Sequence, residues 1–187
     1  MLSYSPKGLG TAVRNLILVG PMGAGKSTVG RGLADYLQWP FVDMDQEIER
    51  RTGVDIPTIF EFEGEEGFRR RETELLRSLL QHEGQIIATG GGVVMRPENR
   101  ELMRGECVLY LRTPVAEQYR RTRRSRNRPL LSDAHDRREK LESLFRIRDP
   151  LYQEVATITL EGRRQKVDEA VKMAFDVLMR PDSTPAG

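Results

Sequence analysis

The stretch Gly20–Thr28, GPMGAGKST, constrains this chain more than any other feature, because it follows the apolar run NLILV without a break. Gly20, Gly25, Lys26 and Ser27 satisfy G-x-x-x-x-G-K-[ST] where a strand should end and a helix begin. Glycines let the backbone curl around phosphate oxygens, with the N–H groups of Gly23, Ala24, Gly25, Lys26, Ser27 and Thr28 gathered at a helix N-terminus. The Lys26 ammonium can bridge β- and γ-phosphates, and the Ser27 hydroxyl can face Mg²⁺. A turn that only closes a strand–helix unit needs neither the lysine nor the hydroxyl, so binding of a nucleoside triphosphate follows. The acceptor does not follow, since switches, motors and metabolite kinases share the motif.

Short β-branched runs at NLILVG, WPFVD, GQIIATG, ECVLYL and ATITL alternate with longer amphipathic segments, the pattern of an α/β open sheet with five parallel strands. Helices are expected to begin near Lys26, Asp45, Ile56, Pro97, Pro114, Asp136 and Lys166. At 187 residues the chain suits one domain, expected over 15–180, between tails at 1–14 and 181–187 rich in Gly, Pro, Ser and Thr. A net charge of +2 demands no nucleic acid. The single cysteine, Cys107, has no partner for a disulfide and reads as a buried strand thiol. No apolar run approaches a membrane span and residues 1–14 lack a signal-peptide core, so a cytoplasmic protein is expected, and its small size suggests a monomer.

No N-K-x-D segment reads guanine, and no apolar strand ends in the acidic pair of a large ATPase, which leaves a metabolite kinase. Asp43 and Asp45, at the end of the second apolar run, can both face the crevice where open α/β sheets bind ligands. One carboxylate would serve Mg²⁺ and the other the attacking hydroxyl, although helix capping ahead of QEIE explains the pair as well. The run FRRRE reads either as a solvated face or as an anion clamp once another group fixes an arginine. The triple glycine Gly90, Gly91, Gly92 reads as close backbone approach to a ligand or as a tight turn. From Arg112 to Arg128 the density of arginine suits phosphate, RNA or a solvated helix face, but Tyr119 is the one aromatic nearby for base stacking.

Together GPMGAGKST, DMD, FRRRE, the triple glycine, RPLL and RDPLY, in this order, resemble the shikimate kinases over roughly Asn15 to Leu178. The resemblance implies a three-layer, nucleoside monophosphate kinase-like P-loop fold with a helical substrate-binding insertion at about 45–81 and an arginine-rich lid at about 120–136. It implies ATP as co-substrate, Mg²⁺, and transfer to the 3-hydroxyl of shikimate on the route to chorismate and the aromatic amino acids. On this basis Asp45 binds the acceptor hydroxyls as base, Asp43 joins Ser27 at Mg²⁺, and Arg69 and Arg148 hold the carboxylate beside Gly90, Gly91 and Gly92. Glu72 fixes Arg69, Phe60 and Phe68 line the ring, Arg128 reaches the phosphates from the lid, and Arg121 and Gln165 lie on the adenine side. A gluconate-type kinase, or more remotely a basic RNA-binding NTPase, is the alternative.

Overall fold

The computed structural model describes residues 14–122, 137–161 and 171–172. Five strands, β1 (Leu16–Val19), β2 (Phe41–Asp43), β3 (Ile86–Ala88), β4 (Cys107–Arg112) and β5 (Ile158–Glu161), form one sheet in the order β2-β3-β1-β4-β5. Every pairing is parallel, with Leu16 in register with Ile86 on one side and Cys107 on the other. All five carboxyl ends therefore share one rim, and the segments that carry the phosphate motif, Asp43 and the triple glycine leave from it.

Strand alternation divides the core into two layers. Leu16, Leu18, Ile86, Leu109 and Leu111 face α1 (Lys26–Leu37) through Val29, Leu33 and Leu37. Ile17, Val19, Ile87, Val108 and Tyr110 face the opposite way, onto α2 (Met44–Thr52), α3 (Ile56–Leu79) and α6 (Arg137–Val155). A short 3₁₀ turn at Val93–Met95, α4 (Pro97–Leu102) and α5 (Val115–Thr122) complete the described elements. Cys107 is buried, as expected, and its surroundings push the thiol up to about 11, so it stays protonated and inert.

The helical region expected from Ile56 onward is broken. Gly64 has φ +69° and ψ −179°, backbone open almost solely to glycine, and it divides α3 into two helices at an angle. The kink brings Glu63 back over Gly67, where a Cβ would lie 2.4 Å from that of Glu63. Beyond it, Leu75, Leu76 and Leu79 run into the main core, so the segment also builds the domain's centre.

Candidate active site

The phosphate loop ends at Gly25, which stands at the N-cap of α1 with φ +92°. Lys26 Nζ donates to the carbonyls of Gly20 at 2.7 Å and Pro21 at 3.0 Å, so its charge is already held within the loop. The Ser27 hydroxyl donates to Asp43 Oδ2 at 2.5 Å. The other oxygen of Asp43 accepts from the backbone N–H groups of Asp45 at 3.1 Å and Gln46 at 3.4 Å, capping α2. Asp43 thus caps α2 with one oxygen, the second role the sequence offered, and holds the Ser27 hydroxyl with the other. Asp45 is not on the strand edge: it sits in the first turn of α2, half-buried.

The FRRRE run splits by burial. Arg69 is 5% exposed, Arg70 is exposed, and Arg71 lies between them, donating through Nε to Glu63 at 2.8 Å. Arg69 is paired with Glu72, which is fully buried, and bonds Glu65 through Nη2 at 3.0 Å. Helical spacing of three and four residues makes both contacts. Burial raises the Glu72 carboxyl from 4.5 to about 7 against the pull of Arg69, and nearby Asp45 raises it further. Its Oε1 has no hydrogen-bond partner, although it is buried.

Gly90–Gly92 leave β3 and pass close to these groups. A Cβ on Gly90 would meet Glu72 Oε1 at 2.4 Å and Asp45 Oδ1 at 2.9 Å, and one on Gly92 would meet the Arg69 guanidinium at 2.3 Å. None of the three has a positive φ. A side chain at Gly90 or Gly92 would push these buried charged groups from their places, a reason for glycine that the sequence alone did not suggest. Gly91 O accepts from Arg148 Nη1 at 3.1 Å and from the Tyr152 hydroxyl. Arg148 is 5% exposed, its Nε is buried without a partner, and burial followed by repulsion from Arg69 lowers its pKa.

Arg69 is thus paired with two carboxylates, whereas buried Arg148 hydrogen-bonds a carbonyl and, among the described residues, no carboxylate, so Arg148 is the guanidinium whose charge an anionic ligand would meet. Phe60 and Phe68 lie beside it with ring centroids 4.9 Å apart, and Arg69 stands over the Phe68 ring at 5.4 Å. A cavity bounded by Pro21, Met22, Leu141, Phe145, Arg148 and Tyr152 opens between the phosphate loop and α6. At the phosphate loop, Arg121 Nη1 donates to the carbonyls of Gly23 at 3.0 Å and Ala24 at 3.4 Å, with Nε on Glu117 at 2.7 Å. Arg128, Gln165 and most of the expected lid lie outside the described residues.

Tyr152 and Asp149 within RDPLY, and Glu65 as a second partner of Arg69, are contacts that the motifs alone do not single out. The i, i+4 spacing of Arg148 and Tyr152, which puts both side chains on one helical face, could have found Tyr152. Among the described residues no helix is long and apolar enough to cross a membrane, and no group of three or more His, Cys, Asp or Glu could hold a metal.

A family model described as shikimate kinase matches residues 22–179. The shikimate kinase of Thioalkalivibrio sulfidiphilus is 58% identical over 164 residues, 87% of this chain and 85% of that protein. The structure of shikimate kinase from Acinetobacter baumannii in complex with shikimate superposes with a TM-score of 0.86 at 48% identity, covering 93% of this chain and 97% of that one. A gluconokinase from Sinorhizobium meliloti, at 14% identity and a TM-score of 0.56, shares the fold alone, over 89% of this chain and 92% of that one. The phosphate loop, the buried arginine pair and the glycine turn thus stand in a chain that belongs to the shikimate kinase family.

Proposed function

We propose that this chain, a kinase with ATP as its co-substrate, transfers the γ-phosphoryl group to the 3-hydroxyl of shikimate, giving shikimate 3-phosphate and ADP. The observation that carries the acceptor is the convergence of Arg69 and Arg148, both buried, beside Asp45 and a glycine turn. A small carboxylate with several hydroxyls needs this mixture: guanidiniums for its charge, a carboxylate for its hydroxyls, and the Phe60 and Phe68 rings to exclude water. Gluconate also carries a carboxylate and hydroxyls, but the family match favours shikimate.

In this reading Asp45 orients the 3-hydroxyl and accepts its proton, while Glu72 holds Arg69 in place. Lys26 exchanges its loop carbonyls for β- and γ-phosphate oxygens, with the N–H groups of Gly23, Ala24, Gly25, Ser27 and Thr28 around them. Ser27 and Asp43 present two hard oxygens side by side, a set that fits Mg²⁺, which favours oxygen ligands and keeps several waters. Bound there, Mg²⁺ would neutralise charge building on the transferred group. Arg121 and Gln165 serve the adenine side and Arg128 the phosphates, as the resemblance implies. The enzyme acts as a cytoplasmic monomer, with residues 45–81 as acceptor-binding insertion and about 120–136 as lid.

ADP release with Mg²⁺-ATP, measured with shikimate, gluconate, RNA and no acceptor, tests the reading, together with Arg69→Ala. Shikimate alone should stimulate turnover, with one phosphate added by mass. Arg69→Ala should raise KM for shikimate by roughly a hundredfold and leave KM for ATP nearly unchanged, because only the acceptor loses a charged partner. Stimulation by gluconate or RNA instead, or equal loss for both substrates, would refute it.

A further inference from the structure

Arg148 can hold an acceptor carboxylate only if its helix is held, and the sequence weakens that helix at this point. Pro150 lies inside α6, where it has no N–H for Arg146 and crowds the preceding turn. Asp149, 9% exposed, spans the weak point with both carboxylate oxygens occupied. Its Oδ1 accepts from the Tyr110 hydroxyl at 2.7 Å and Arg112 Nε at 2.9 Å, and its Oδ2 from Arg112 Nη2 at 3.1 Å and Gln153 Nε2 at 2.7 Å. Arg112 continues to Glu161 at 3.1 Å, so the network binds α6 to both β4 and β5. One turn beyond Arg148, Tyr152 is fully buried, its ring stacks on Tyr110 with centroids 4.9 Å apart, and its hydroxyl donates to Gly91 O. Burial keeps that hydroxyl protonated and therefore a donor.

Gly91 O is the same atom that Arg148 bonds. Arg148 uses Nη1 here and keeps its buried, unpartnered Nε for a carboxylate, while Tyr152 anchors the same carbonyl from the next turn of the helix. We propose that Asp149 and Tyr152 are positioning residues for acceptor recognition, acting through Arg148: Asp149 ties its helix to the sheet, and Tyr152 fixes the glycine turn it reaches. The inference rests on the shikimate reading of this pocket.

The test is a double-mutant cycle in the full chain, using Tyr152→Phe and Asp149→Asn alone and in the Arg148→Ala background, with KM measured separately for shikimate and ATP. Each single substitution should raise KM for shikimate about tenfold, with kcat and KM for ATP within about twofold, since misplaced binding groups act on the ground state and transition state alike. Once Arg148 is removed, each should add less than about twofold, because residues acting through one another are not additive. Additive losses, or equal rises in both KM values, would overturn the proposal while leaving the proposed function intact. A wild-type chain that turns over no shikimate would overturn both. Should Asp149→Asn fail to fold, Tyr152→Phe, which removes one oxygen, decides alone.

Discussion

Glu72 lies wholly inside the protein with one oxygen on Arg69 and the other unpartnered, and burial has moved its titration from 4.5 to about 7. Below pH 4.5 the folded and unfolded chains both hold this proton, so the group adds no pH dependence there. Between 4.5 and about 7 the folded chain keeps a proton that the unfolded chain has lost, so stability falls as pH rises across that window and levels above it. Glu72→Gln should flatten this decline, measured as thermal midpoints from pH 4 to 8 for both chains; parallel curves would show that Glu72 is not its source. The importance of Arg69 was partly legible in the sequence, since it shares a helical face with Glu72 and Leu76. Which oxygen of Asp43 would cap and which would meet Ser27 was not, because that depends on how β2 lies beside α1, a tertiary fact.

At the scale of elements, α3 shows what a propensity reading can and cannot see. Its charge and helical periodicity mark a helix, but Gly64 inside it reads equally as a tolerated weak position. Only the packing of Phe60 on Phe68 and of Glu63 over Gly67 makes a bend necessary. Gly64 has open space around it, so a methyl group there meets no neighbour and any cost comes from the backbone alone. Gly64→Ala should destabilise the protein by about 1–3 kcal/mol, the usual cost of this conformation in a residue with a side chain. Urea unfolding measures this, and a change below about 0.3 kcal/mol would mean that the kink is not a constraint. The strands, by contrast, were fully legible: five short apolar runs became five parallel strands, because β-branched residues between helical segments leave few other arrangements.

For the molecule as a whole, the first half of α3 stands beyond the Gly64 bend, largely exposed past Phe60, and α6 is bound to the opposite side of the site through Asp149. Substrates that join the two sides should draw them together. Small-angle scattering should give a radius of gyration of about 16 Å, as for a compact monomer of this length, and a smaller value with both ligands bound. A larger free value would favour an oligomer, and no contraction would count against closure. The tight fit of Gly92 against Arg69, and of Gly90 against Glu72, also limits how such a sequence can change over time. An alanine at position 92 would displace the guanidinium that pairs with Glu72, and a shortened side chain at 69 would leave buried Glu72 without that partner. Either substitution costs more as a first step than after the other, so the helix and the glycine turn, distant along the chain, are coupled in how they drift, and the order in which changes arrive weighs on which sequences are reachable.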